Sequence, residues 1–275
     1  MSHACIGRHA RRLALLASLI GFTLLTACQR DTSAPAAAPQ PEKPMSLIPS
    51  AISAPERFAG DSDEDAWRKP QTVLEFLGVE PGANVLDYFA GAGYYSELLS
   101  RSVGPSGSVI LYNNPGYAEF AGDKLVKRTA NNRLPNVKVL TAPTGEVKLT
   151  PNSLDGVLFV MSYHDLYWQP KEAKAPFGDT AQVTAGLFQA VKPGGVVVVL
   201  DHVANPGGDT AKVVDAIHRI DPAVVNNDFT KAGFVFDGAS DAFKNASDDH
   251  SKLVFDEALR HKTDQFLYKF RKPAK

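Results

Sequence analysis

Five apolar, β-rich runs separated by helical patterns constrain this chain more than any other feature. They are "NVLDYF" (84–89), "GSVILYN" (107–113), "NVKVL" (Asn136–Leu140), "DGVLFVM" (Asp155–Met161) and "GGVVVVLDH" (Gly194–His202). A strand with one wet face alternates apolar and polar residues, whereas the last two runs are apolar nearly throughout. Strands buried on both faces need helices on both sides, which is the layout of a parallel α/β sheet. The stretch "TAQVTAGLFQAVKPGG" supplies one such helix and reads as ending at its Pro-Gly-Gly stop. "GFVFDG" and "DQFLYKF" add two later strands. The expected fold is an α/β, Rossmann-like, doubly wound domain running from residue 53 to residue 275.

What precedes that domain reads as an export signal. Arg8, His9, Arg11 and Arg12 form a basic start, and "LALLASLIGFTLL" (Leu13–Leu25) is too short to span a bilayer comfortably. The stretch Leu25-Thr26-Ala27-Cys28 resembles the bacterial lipoprotein signal, in which a cysteine after small residues takes the lipid and becomes the new N-terminus. The reading is therefore a signal peptide over 1–27, a lipid on Cys28, and a tether over 28–52 rich in Ala, Pro and polar residues. Gln29, rather than Asp, follows the cysteine, which by the same resemblance favours the outer over the inner membrane. The expected location is the cell envelope, at the periplasmic face, with the membrane reached through the lipid.

Composition then excludes whole classes of chemistry. The only cysteines are Cys5 and Cys28, so a processed chain keeps no thiol for catalysis, disulfides or metal. The leader holds three of the 29 basic residues and none of the 30 acidic ones, which leaves 26 against 30. That balance, with no basic run, argues against a nucleic-acid partner held through phosphates.

The loop "DYFAGAGYY" follows the first strand, where ligands bind in such sheets. Gly91 and Gly93 allow a tight turn, and the next helix offers free N–H groups. Ser96 stands where a dinucleotide fingerprint has its third glycine, which counts against a pyrophosphate grip. Asp87-x-x-x-Gly91-x-Gly93, then "VGPSGSV" and "VKPGGVVVV", resembles the class I S-adenosylmethionine-dependent methyltransferases over about 200 residues. Together "RKPQTVLEFLGVEPG", "YHD", "LDH" and "HRID" resemble more narrowly a bacterial group of exported, lipoprotein-type predicted methyltransferases.

This resemblance implies a mostly parallel seven-stranded sheet with the last strand antiparallel, and S-adenosylmethionine as cofactor. It implies Asp87, Phe89 (in place of the first motif glycine), Gly91, Gly93 and Tyr163 as cofactor-binding residues. The acid that ends the second strand in this family, and binds the cofactor ribose, is Asn113 here. An amide gives and accepts a hydrogen bond but carries no charge. Glu146 is the nearest acid for the adenine.

"MSYHDLYW" follows the fourth strand and sets His164 and Asp165 at the rim where the methyl acceptor lies in this fold. His164 reads as a general base, with Asp165 or His202 of "LDHVA" as its partner. The alternative is that His164 and Asp165 cap the next helix. "AIHRIDPAVV" adds His218 and Asp221 on one helical face; the histidines and carboxylates of the cleft fit a metal site, and the alternative for Arg219 and Asp221 is an internal salt bridge holding the cleft wall. Tyr94, Tyr95, Tyr163, Tyr167 and Trp168 suit either a flat or lipid-like acceptor or plain packing.

The leading expectation is a methyltransferase for a small-molecule acceptor, with no metal assigned. Two others stay open. One is a lipoprotein that binds a small molecule on a methyltransferase scaffold without chemistry. The other is a metal-assisted hydrolase or lyase using the histidine-lined cleft.

Overall fold

The computed structural model describes residues 45–171 and 176–274. The signal peptide, Cys28 and the tether as far as residue 44 lie outside the described residues. The first element, α1 (Ile48–Ser53), begins inside the stretch expected as tether. Its Ile48 and Ala51 are buried, and Ile48 joins the same apolar cluster as Leu99 and Val103. "IPSAIS" has the composition of a linker, but an apolar residue at each end of one turn gives it a face to bury.

Next come α2 (Asp65–Arg68) and α3 (Pro70–Leu77), then β1 (Asn84–Tyr88), α4 (Tyr94–Val103) and β2 (Ser108–Asn113). The chain continues through α5 (Pro115–Thr129), β3 (Val137–Thr141), β4 (Leu154–Val160), α6 (Thr180–Ala190) and β5 (Val191–His202). It finishes with α7 (Thr210–Ile217), α8 (Pro222–Lys231), β6 (Val235–Ser240) and β7 (Gln265–Arg271). The seven strands form one sheet in the order β3-β2-β1-β4-β5-β7-β6, with β7 antiparallel to both of its neighbours and the other pairs parallel.

The unbroken apolar runs follow from helices on both faces. Successive residues of β4 and β5 point to opposite sides, and both sides are dry. Val157, Phe159, Val197 and Val199 enter one core layer, while Leu158, Val198 and Leu200 enter the other. Each of these is fully buried, so cutting Leu158 to alanine costs about 2–5 kcal/mol. The edge strands β3 and β6 carry the exposed positions, Val139 and Val235 among them.

One boundary differs from expectation. The helix α6 ends at Ala190, and Val191 already pairs with Leu154, so Pro193-Gly194-Gly195 lies inside β5. The register shifts there, and a Cβ on Gly195 would sit 3.0 Å from the Asp155 carbonyl oxygen. Gly195 thus serves the close approach of β4 at the register shift, and Gly194 a left-handed residue (φ +82°) within the strand, rather than a helix stop. Because β1 connects outward to β2 and β4 leads the other way, the strand order reverses between β1 and β4. Such a reversal opens a crevice at the strands' carboxyl ends.

Candidate active site

That crevice is a cleft of about 820 Å³ bounded by the residues after β1, β4 and β5. A second hollow, of about 630 Å³, lies by the amino ends of β1 and β4. Its charged pair Asp155–Lys192 is closed on itself at 2.7 Å, whereas the first is lined by His164, Asp165, His202 and His218.

One wall is backbone. After Tyr88 the chain turns through Phe89 (φ +54°), Gly91 (φ +57°) and Gly93 (φ +82°), all left-handed. A side chain at such an angle costs roughly 1–2 kcal/mol. Phe89 offsets this by stacking on Tyr117, with ring centres 4.5 Å apart and planes 12° from parallel. Asn113, fully buried, clamps the turn from behind: its Oδ1 accepts from Gly91 N at 2.9 Å and its Nδ2 donates to Gly91 O at 2.9 Å. The guanidinium of Arg128, also fully buried, donates from Nε to Ala92 O at 2.6 Å. Its two remaining nitrogens reach both oxygens of Asp61 at 2.7 and 2.9 Å, and Glu97 at 2.6 Å.

Asp87 lies under the start of α4, accepting from the Ser96 hydroxyl at 2.6 Å. The residue that breaks the dinucleotide pattern therefore holds the carboxyl of the loop. Burial pushes Asp87 up to about 7, with the Ser96 bonds pulling the other way.

The other wall is made of side chains. Met161, at φ +51°, ends β4 and turns the chain into a 3-10 turn at His164–Leu166. Asp201, fully buried near the end of β5, ties this turn down. Its Oδ2 accepts from His164 N at 2.9 Å, and its Oδ1 lies 2.7 Å from His164 Nδ1 and accepts from His202 N at 2.8 Å. His202 Nδ1 is 2.7 Å from Thr263 Oγ1. Asp165 takes a bond from the Tyr117 hydroxyl on Oδ2. Its Oδ1 lies 3.4 Å from His164 Nε2 and 3.6 Å from His218 Nδ1. His164 and Asp165 thus face the cleft and cap no helix; Asp179 caps α6.

The two central imidazoles are driven apart electrostatically. Burial would push His164 down, but the charges of Asp165 and Asp201 outweigh it and hold His164 up at about 9. Burial takes His202 down to about 3. With those values His164 carries a proton near neutral pH and His202 does not. Burial would raise Asp165, yet the His164 charge, His218 and the Tyr117 hydroxyl keep it below the usual carboxylate range.

Several expected site residues lie elsewhere. Asn113 spends its amide on Gly91 and is not a wall of the cleft. Tyr163 is fully buried, with its hydroxyl 2.9 Å from Asp228 Oδ2, and Tyr167 shares that acceptor at 2.6 Å. Tyr163 belongs to the core between Phe159 and Phe229. Glu146 is exposed on a turn outside the cleft. His218 and Asp221 do not share a helix: His218 closes α7 at φ +50°, and Asp221 caps α8. Arg219 pairs with Asp248 at 2.8 Å rather than with Asp221.

Asp87, Phe89, Gly91, His164, Asp165 and His202 do line the cleft, as do Tyr94, Tyr95 and Trp168, and Gly93 starts α4 beside it. Sequence reading missed Arg128 and Tyr117. Arg128 sits among Lys124 and Lys127 on α5 and reads there as a solvated charge, so nothing local marks it.

No family model matches the chain. It is 26% identical over 151 residues to the ubiquinone/menaquinone biosynthesis C-methyltransferase UbiE of Pseudomonas paraeruginosa, a match covering 54% of this chain and 53% of that protein. The chain spans about half the length of the curated relatives it matches. Among solved structures it is similar to a SAM dependent methyltransferase from Aquifex aeolicus, with a TM-score of 0.53 and 19% identity over 77% of this chain and 94% of that one. It is also similar to geranyl diphosphate C-methyltransferase from Streptomyces coelicolor A3(2), with a TM-score of 0.55 and 11% identity over 84% of this chain and 91% of that one. The chain has the class I methyltransferase fold.

Proposed function

We propose that this chain is an S-adenosylmethionine-dependent methyltransferase acting on a small-molecule acceptor. One observation carries the reading: a single cleft joins the left-handed loop after β1 to the His164–Asp201–His202 cluster at the ends of β4 and β5. The match to the Pseudomonas C-methyltransferase supports it.

In this reading the loop Phe89–Gly93 and the N-terminus of α4 hold the cofactor, with Asp87 beneath them. The acceptor lies against the aromatic wall of Tyr117, Trp168 and Phe177, which suits a flat molecule. When bound, S-adenosylmethionine would supply an electrophilic methyl group, and the two walls would hold the acceptor in line with it. Positioning supplies most of the rate. His164, as a cation, steadies an acceptor that reacts as its anion, and neutral His202 offers a lone pair beside it.

Calorimetric titration of S-adenosylmethionine, then of its demethylated product, into the full chain tests this. Micromolar binding is expected, lost in Gly91→Val. No binding of either would favour the second reading, a binding protein on the same scaffold. Asn113 points that way: it puts no acid at the end of β2, and its amide is engaged with Gly91.

The chain is further proposed to be a lipoprotein of the exported methyltransferase group, anchored through Cys28 in the envelope, in the outer membrane with the domain on the periplasmic side. The leader and its small-small-Cys ending support this. No helix among the described residues is long and apolar enough to cross a membrane. Incorporation of labelled palmitate, abolished by Cys28→Ala, is the expected result; equal labelling of the variant would refute the anchor.

A further inference from the structure

We propose that His164 Nε2, Asp165 Oδ1 and His218 Nδ1 bind a divalent transition-metal ion, zinc or one of similar preference, with a fourth position open to the cleft. The three donor atoms lie within 4.8 Å of one another, and Asp165 Oδ1 is 3.4 and 3.6 Å from the two nitrogens. A tetrahedral ion with bonds of about 2.0–2.2 Å needs donors roughly 3.3–3.6 Å apart, so the spacing around Asp165 is already that of a metal centre. It is too long for a hydrogen bond of normal strength.

An independent observation points to a ligand. Asp165 is 8% exposed, and its Oδ1 is buried without a hydrogen-bond partner. A buried carboxylate oxygen left in that state costs about 1–3 kcal/mol or more. Tyr117 occupies Oδ2, which aims the bare Oδ1 between the two imidazoles. A cation at that point satisfies the oxygen.

The surroundings are built as a metal's outer shell is. Asp201 lies 2.7 Å from His164 Nδ1, fixing the ring so that Nε2 turns inward, the carboxylate–histidine arrangement that supports metal-ligating imidazoles. His218 closes α7 in the left-handed region at φ +50°, where glycine or asparagine is the unstrained choice. Phe255 and Trp168 pack on its ring at 5.3 and 5.7 Å. Strain of this kind persists where surrounding structure holds a side chain to a task. Two imidazoles and one carboxylate, without thiolate, suit zinc and its neighbours and leave room for an outside oxygen.

Metal binding stands on this geometry alone; the ion displaces the proton from His164 Nε2 and takes over the positive charge that His164 carries in the metal-free protein. The role that follows, anchoring the acceptor through an oxygen at the open position, rests on the methyl-transfer reading. It narrows the acceptor class to molecules with a coordinating oxygen, such as phenols, enols or carboxylates.

The test strips the full chain with chelator and titrates cobalt(II), read by its visible ligand-field bands, then displaces it with zinc. One ion per chain with four-coordinate cobalt bands is expected. Asp165→Asn and His218→Gly should each weaken binding by at least about 10–100-fold. His218→Gly suits the left-handed backbone, so its fold survives and the loss is attributable to the ligand. Absence of the bands, or affinity unchanged in both variants, would overturn the site. Repeating the S-adenosylmethionine titration on metal-free and metal-loaded protein separates the two ideas. Metal without cofactor binding refutes methyl transfer alone; cofactor without metal refutes this centre alone.

Discussion

The two walls of the cleft are made of different material. The wall after β1 is backbone, with left-handed turns at Phe89, Gly91 and Gly93 fixed by hydrogen bonds to peptide groups. The wall across from it is side chain, with His164, Asp165, His202 and His218 brought in from the ends of β4, β5 and α7. Each is braced by a fully buried arginine: Arg128 on Asp61, Glu97 and the Ala92 carbonyl, and Arg219 on Asp248 and the Val203 and Lys252 carbonyls. A backbone wall presents shape and peptide dipoles and suits a ligand that is always the same. A side-chain wall presents charge and lone pairs, and exchanging those residues changes the chemistry without changing the fold.

The braces give the largest expected effects. Arg128→Met leaves Asp61 with Lys124 at 3.7 Å and the charge of Arg133 for compensation, and releases the loop carbonyl. Stranding buried carboxylates in this way costs about 3–5 kcal/mol, read as a lower denaturation midpoint in urea. Arg219→Met falls at the lower end of that range, because Asp248 keeps the backbone N–H groups of His250 and Asp264. Cofactor affinity should fall in Arg128→Met and hold in Arg219→Met. An equal fall in both would mean that the walls are not independent.

Asn113→Asp tests the backbone wall more finely. A carboxylate there keeps an acceptor for Gly91 N but faces the Gly91 carbonyl with a second oxygen, and the site is fully buried. The expected cost is roughly 3 kcal/mol, with weaker rather than stronger cofactor binding. Tighter binding would show that the side chain at 113 reaches the ribose, as the family pattern implies.

These variants also mark how far the sequence could be read. The sheet and the loop were legible because both are written in local pattern: apolar runs for strands covered on two sides, glycines for a turn. Which way a side chain points at the end of a strand is not local. Asn113 and Tyr163 were placed correctly along the chain and wrongly in space, one turned to clamp the loop and the other to Asp228 in the core. His164 and Asp165 follow the end of β4 and His202 ends β5, and the structure puts all three on the cleft. His218 was noticed yet joined to the wrong partner, since a helix that stops at a left-handed histidine looks continuous in sequence. Arg128 carries no signal at all, because its partners Asp61 and Glu97 lie 67 and 31 positions away.

On the side-chain wall, Asp201→Asn should lower His164 from about 9, because it removes one of the two carboxylates that hold it up. In metal-free protein the raised value makes the native state bind more protons than the unfolded one between about 6.5 and 9. The stability His164 contributes is therefore complete below the lower figure and lost as pH rises through the upper. That contribution is on the order of 3 kcal/mol. Melting temperature against pH should fall across this window in the parent chain and flatten in Asp201→Asn. Histidine resonances followed by NMR would assign the change. An unaltered fall in the variant would mean that His164 does not set it.

The smallest effect asks whether the two walls answer the cofactor differently. Asp87 lies under the loop, pushed up to about 7 by burial, so near neutral pH it holds a proton about half the time. S-adenosylmethionine brings a sulfonium and an ammonium. Positive charge nearby favours the carboxylate, so binding should lower Asp87 and release a fraction of a proton. The sign alone does not name the source, because the same charge brought near a histidine that titrates at ambient pH would also release protons. His164 near 9 and His202 near 3 do not titrate there. Binding enthalpies measured at pH 7 in buffers of different ionisation heat give the proton count directly. Release in the parent chain and none in Asp87→Asn would locate the response in the backbone wall. Release that persists in the variant would place it among the histidines, and the cofactor's charge would then reach across the cleft to the wall assigned to the acceptor.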